Sequence, residues 1–304
     1  MRARHLLEVD DLSPSELQAV LDLAEAPAPA PVLAGKGAAL LFEKPSARTR
    51  NATEMAVVQL GGHPVSLRGE EVAIDVRETA EDLARTLSSY HSVIGARVAT
   101  HGVLERMAAV ASVPVVNLLS DLGHPTQALA DVLTLRQHLG DLAGRQLAWV
   151  GDANNVFRSL SLAAAMAGVG VRAASPPGFG PRPEHLDRVR SLGGEVLATS
   201  DPEEAVTGAD VVVTDVWASM GQEEEADERR RAFAGFTVDE RLMAVAAPEA
   251  VFLHCLPAHR GEEVTAGVVD GPRSLVWREA ANRMHAARGL LVFLLGGSQP
   301  GGPG

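Results

Sequence analysis

Short apolar runs alternate along this chain with segments whose apolar residues recur at helical spacing, and that alternation limits the fold more than any other feature. In the first half, 38–41, 64–67, 93–98 and 113–118 read as strands, and 48–60, 78–88 and 103–111 as helices. The segment 78–88 places Ala80, Leu83, Ala84 and Leu87 on one helical stripe. A longer amphipathic helix is expected over 125–139, with Pro125 in its first turn and Gly140 just past its end. In the second half, 146–150, 170–174, 195–199, 210–214 and 251–253 are strand-like, and 159–167, 184–192 and 203–206 are helical. Such a pattern predicts an α/β chain of parallel sheets with helices on both faces. Ligands of such sheets bind beyond the carboxyl ends of the strands.

A chain of 304 residues can bury a large core and is long enough for two domains. We place the first domain at 1–139 and the second at 140–277, followed by a final helix at 278–295. The segment 296–304, rich in glycine and proline, reads as a disordered tail. The alternating Ala-Pro stretch at 26–31 ends the first helix and reads as a stiff surface connector. A hydrophobic fraction of 46% with 22% charged residues is that of a globular protein in water. The formal net charge of -12 argues against nucleic acid as a partner. No run is long and apolar enough for a bilayer, and the N-terminal apolar run is too short for a secretory signal. A single cysteine excludes an internal disulfide and fits a reducing cytoplasm.

The chemistry concentrates where strands are expected to end. Ser46-Ala47-Arg48-Thr49-Arg50 lies between the strand at 38–41 and the helix that follows. A helix N-terminus offers unpaired N–H groups and partial positive charge, and arginines and hydroxyls there add donors suited to a phosphate. This is denser in donors than a cap requires. His124 stands just before the helix opened by Pro125, and Gln127 lies in that helix's first turn. The turn Gly151-Asp152-Ala153-Asn154-Asn155 lacks the G-x-G-x-x-G spacing, so a dinucleotide is a poor fit, and Asp152 is expected to hold the turn. Asp215 closes a strand. Cys255 sits between His254 and Leu256-Pro257. A lone cysteine is most often a small buried hydrophobe. A nucleophilic thiol with His254 or His259 as its base is the second reading. His254, Cys255 and His259 lack a second ligand pair at structural zinc spacing, so no metal is expected.

Five segments in order resemble the aspartate/ornithine carbamoyltransferase family. They are the Ser46–Arg50 loop, His124-Pro125-Thr126-Gln127, the 151–155 turn, Asp215 to Gly221, and His254-Cys255-Leu256-Pro257. The Ser219-Met220-Gly221 and His-Cys-Leu-Pro segments are similar to the ornithine branch. The resemblance spans nearly the whole chain. It implies two doubly wound domains, the first completed by the C-terminal helix at 278–295, with the active site in the interdomain cleft, and transfer of the carbamoyl group of carbamoyl phosphate to the δ-amine of L-ornithine. It implies that Ser46, Ala47, Arg48 and Thr49 hold the phosphate, and that Arg97 bridges phosphate and carbonyl. His124 and Gln127 would meet the carbamoyl group, with Cys255, Leu256 and Arg283 beside it. Asn155, Asp215, Ser219 and Met220 would bind ornithine, with Asp215 and Cys255 orienting or deprotonating the amine. No cofactor is implied. The family assembles as a trimer or a dimer of trimers and serves arginine biosynthesis in the cytoplasm. Alternatives are a carbamoyltransferase for putrescine or N-acetylornithine, a non-catalytic paralogue, and a cysteine hydrolase.

The chain departs from the family pattern at four places. Ala47 replaces a threonine, and Asn51-Ala52-Thr53 stands where an aromatic is common. Ala73-Ile74-Asp75 occupies a loop that reaches a neighbouring subunit's site in the family. Ala281 stands where glutamate usually precedes Asn-Arg. Loss of one neutral hydrogen bond costs about 0.5–1.5 kcal/mol, which weakens binding without removing the chemistry.

Overall fold

The computed structural model describes residues 3–218 and 225–296. The expected contacts of Ser219 and Met220, and the tail from 297 on, lie outside the described residues. The chain divides into two compact units: residues up to Leu133 together with those from Ala281 on, and Thr134–Ala280. Both divisions fall inside helices, Pro125–Leu139 and Val276–Leu295.

The first unit is a parallel sheet of β1 (Gly37–Phe42), β2 (His63–Arg68), β3 (Val93–Arg97) and β4 (Val115–Leu119), in the order β2-β1-β3-β4. β1 and β3 are buried along nearly their whole length, as strands covered on both faces must be. The helix Ala80–Tyr90 buries Ala80, Leu83, Ala84 and Leu87, the stripe its spacing predicts. They pack with Leu41, Ile94, Leu104 and Met107 into one core. Helix Pro14–Glu25 starts on a capping box: Ser13 Oγ accepts from the Glu16 amide, and Glu16 Oε2 accepts from the Ser13 amide.

The second unit is a parallel sheet of β5 (Gln146–Val150), β6 (Gly170–Ala174), β7 (Val196–Thr199), β8 (Val211–Thr214) and β9 (Val251–Leu253), in the order β7-β6-β5-β8-β9. Its core includes Phe233, Phe252, Val212 and Trp217, all buried. Full burial of each large apolar side chain contributes roughly 1.5–3 kcal/mol. The helix expected from 159 begins earlier, as Asn155–Met166, because Asn154 caps it and Val156 and Phe157 already face the core. Short helices at Ala226–Ala232 and Glu240–Val245 escape a periodicity reading. The first is mostly charged, and the second is one and a half turns set by the Asp239 cap.

Each sheet reverses its winding once. In the first unit the chain moves outward from β1 to β2, then returns to the other side of β1 with β3; in the second it does so between β5 and β8. Such switch points leave a crevice at the carboxyl ends of the two central strands. The register aligns Phe42 with Arg97 and Val150 with Thr214. The segments leaving β1 and β3 therefore start side by side, as do those leaving β5 and β8.

Candidate active site

The first unit builds a cationic cradle at its switch point. After β1 the chain turns at Ser46 into the helix Ala47–Gln59, which has no side-chain cap and no acidic residue in its first turn. Its leading amides are left for other partners. Ser46 Oγ instead accepts from Arg97 Nη1 at 3.4 Å. Arg97 ends β3 at a point where the pairing with β4 slips by one residue, an irregularity of the kind that re-aims a side chain. Arg48 is exposed, whereas Arg50 is committed to Glu54 at 2.8 Å. Ala47 is exposed at the first helical position.

Behind the loop lies a buried cluster. Arg283, in the final helix, donates to Thr49 Oγ1 at 2.8 Å and to Gln127 Oε1, with His124 Nε2 3.4 Å from its Nη2. Gln127 Nε2 donates to Asp131 Oδ1 at 2.7 Å. His124, Gln127, Thr49 and Arg283 are all buried. Burial, with the charges of Arg283, Arg97 and Arg48, pushes the His124 pKa well below the ordinary histidine range. At neutral pH His124 is a neutral imidazole. Arginine is a donor only, so Nε2 accepts and Nδ1 carries the proton, 3.4 Å from Thr126 Oγ1. The charges that act on this ring are arginines from the β1 loop, the end of β3 and the final helix, a convergence suited to an anion.

The second unit brings its candidates together at the β5/β8 switch point. Gly151, with φ of 139°, ends β5 in a backbone conformation that side chains rarely adopt. Asp215 leaves β8 and is buried. Its Oδ1 accepts from Cys255 Sγ at 3.1 Å, and its Oδ2 accepts from Asn154 Nδ2 at 2.7 Å. Asn155 is the half-buried first residue of the helix behind. Asp152 accepts from Arg229 Nη1 at 2.7 Å, and Arg229 also donates to the Trp217 carbonyl, an ion pair that ties the turn to the helix Ala226–Ala232. Burial raises the Asp152 pKa, with Arg229 opposing.

The Cys255 segment rests on groups that the sequence reading missed. His254 Nδ1 accepts from the Leu256 amide at 2.9 Å, so Nε2 holds the proton and donates to Glu263 Oε1 at 3.1 Å. Glu263 also accepts from the His259 amide at 2.6 Å, and Glu279 accepts from the His254 amide at 3.0 Å. Glu263, Glu279 and His254 are buried. Leu256 is held at φ of 60°, a left-handed backbone that costs a non-glycine residue of order 1 kcal/mol or more and recurs at functional sites. The ligand atoms of Asp215, His254 and Cys255 lie within 4.8 Å of one another. Each is already engaged in the hydrogen bonds above. His254 faces Glu263 and the Leu256 amide, which leaves neither ring nitrogen in position to activate the thiol. Asn154 lies in the 151–155 turn that carries the resemblance, with no role read for it there, and Glu263 shows in the sequence only as half of an acidic pair.

Two doubly wound α/β units, one with an arginine cradle and one with a carboxylate–thiol pair, define a group-transfer enzyme rather than a dinucleotide-binding one. Residues 4–137 match the carbamoyl-P binding domain of aspartate/ornithine carbamoyltransferase, and 143–294 match its Asp/Orn binding domain. The ornithine carbamoyltransferase of Acidothermus cellulolyticus is 51% identical over 301 residues, covering 96% of each chain. The structure of ornithine carbamoyltransferase from Thermus thermophilus aligns with a TM-score of 0.89 at 47% identity, covering 97% of this chain and 100% of that one. The Pyrococcus furiosus enzyme aligns at 0.93 and 42% identity, covering 98% and 99%. The chain belongs to the aspartate/ornithine carbamoyltransferase family. Among the described residues no helix is long and apolar enough to cross a membrane.

Proposed function

We propose that this protein transfers the carbamoyl group of carbamoyl phosphate to the δ-amine of L-ornithine, giving L-citrulline and phosphate. The observation that carries the reading is the convergence of Arg48, Arg97 and Arg283 on neutral, buried His124 beside an uncapped helix N-terminus. Carbamoyl phosphate brings a dianion on an activated carbonyl. Ser46, Arg48, Thr49 and the Ala47 amide bind the phosphate. Arg97 spans phosphate and carbonyl oxygen. The unprotonated amine attacks the carbonyl carbon, the C–O bond to phosphate breaks, the proton lost from the amine passes to the departing phosphate, and donors on the carbonyl oxygen stabilise the charge that develops between those events. Arg283 is such a donor, and His124 supplies another if its ring turns or its tautomer changes on binding. Gln127 meets the carbamoyl amide, and Cys255 and Leu256 border the group.

In the second unit Asp215 pairs the α-ammonium of ornithine. Asn155, with Ser219 and Met220, holds the amino-acid end. Asp215 and Cys255 together orient the amine. The thiol that points at Asp215 has its proton directed to a carboxylate, which favours this role over a covalent intermediate. We place the protein in the cytoplasm as a homotrimer or dimer of trimers. Its lone cysteine and the exposed apolar Met55, Val58 and Val76 support that reading.

Two measurements follow. Restoring the family hydroxyl with Ala47→Thr improves carbamoyl phosphate affinity by up to roughly tenfold, equivalent to about 1.4 kcal/mol. An unchanged dissociation constant by calorimetry means that the amide at 47 already suffices. In competition kinetics, ornithine exceeds putrescine and N-acetylornithine in kcat/KM. Putrescine leaves the groups that read the amino-acid end unmatched, and acetylation removes the charge that pairs with Asp215. Equal or better use of either amine rejects the ornithine assignment and leaves carbamoyl transfer standing.

A further inference from the structure

Asn154 spans the β5/β8 switch point with one side chain. Its Oδ1 accepts from the amides of Val156 at 2.9 Å and Phe157 at 3.1 Å, capping the helix Asn155–Met166. Its Nδ2 donates to Asp215 Oδ2 at 2.7 Å. A cap needs only the oxygen, and serine or aspartate serves as well there. The amide nitrogen is what distinguishes asparagine, and it points at the carboxylate that accepts from Cys255. Asp215 itself follows a buried strand, and the hydroxyl of its neighbour Thr214 is tied to the Val150 carbonyl at 2.5 Å. The carboxylate plane of Asp215 is therefore set from both sides, by Asn154 on Oδ2 and Cys255 on Oδ1.

We infer that Asn154 is a positioning residue for amine selection: it fixes the Asp215 carboxylate so that its remaining lone pairs face the α-ammonium of the acceptor. The inference rests on the reading of Asp215 as the carboxylate that pairs the α-ammonium of ornithine. Because capping and positioning use different atoms of one amide, substitution separates them. Asn154→Asp keeps the cap, removes the donor and sets a second carboxylate against Asp215. Asn154→Ser keeps the cap and stays neutral, but loses the amide donor.

The test is steady-state kinetics and thermal unfolding on the full-length wild type, Asn154→Asp, Asn154→Ser and Asp215→Asn. Asn154→Ser is expected to unfold within a few degrees of wild type, and Asn154→Asp lower, because its carboxylate repels Asp215. Their kcat/KM for ornithine falls roughly 10- to 100-fold, the size expected for loss of a hydrogen bond to a charged group, while the dissociation constant for carbamoyl phosphate stays within about twofold. A merely structural role moves the unfolding midpoint and both substrates together, and that result overturns the inference. Loss of ornithine use in Asp215→Asn with none in the Asn154 variants also overturns it, and leaves the Asp215 reading intact. Normal ornithine use in Asp215→Asn overturns the reading on which the inference depends.

Discussion

Arg48→Ala lowers kcat/KM for carbamoyl phosphate by about a hundredfold or more while the protein remains folded. Arg48 is exposed at the first turn of an uncapped helix, so its removal opens no cavity and breaks no core packing. What it removes is a planar cation proposed to face the substrate dianion, whose charge increases on the departing phosphate. A preorganised, charge-assisted donor of this kind is worth on the order of 3 kcal/mol or more in the transition state. The effect on ornithine binding measured in the absence of carbamoyl phosphate is small, because the residues proposed to read ornithine belong to the second unit. Near-normal turnover together with normal carbamoyl phosphate affinity in Arg48→Ala would remove the β1 loop from the phosphate site.

The second large effect is on stability. Glu263→Ala strips a fully buried carboxylate from two donors, the His254 ring and the His259 amide, and leaves a void where the side chain stood. Each unsatisfied buried donor costs about 1–3 kcal/mol, and a cavity adds to that. We expect a loss of roughly 3 kcal/mol and a fall of about 5–10 °C in the unfolding midpoint of the second unit. Ornithine kinetics suffer as well, because the His254 ring holds the Leu256 amide next to Cys255. Glu263→Gln, which keeps an acceptor, recovers part of the loss. An unchanged midpoint by calorimetry in Glu263→Ala would show that water replaces the carboxylate at no cost.

The strand–helix alternation carried the architecture, because a strand covered on both faces must be apolar throughout while its crossover helix keeps a stripe. The buried run of β8 and the Ala80, Leu83, Ala84, Leu87 stripe are both visible in one dimension for that reason. The segments proposed to carry the chemistry also stand out in the sequence. Arg48, Arg97, His124, Asp215 and Cys255 are residue types whose placement after expected strands already suggests polar work.

Other features came only with the tertiary structure. Strand order and register decide which loops are neighbours. Phe42 opposite Arg97 makes Ser46 and Arg97 partners across 51 residues, and Val150 opposite Thr214 does the same for Asn154 and Asp215 across 61. No local pattern encodes such pairings, because parallel strands separated by a crossover share no turn from which a register can be read. The supporting carboxylates Glu263 and Glu279 stayed hidden for a related reason: an acidic residue reads as surface until folding supplies buried donors that repay its desolvation. From the residues alone came the kind of fold and the chemistry of its loops; the packing of one strand against another decided which of those loops meet and which buried groups hold them.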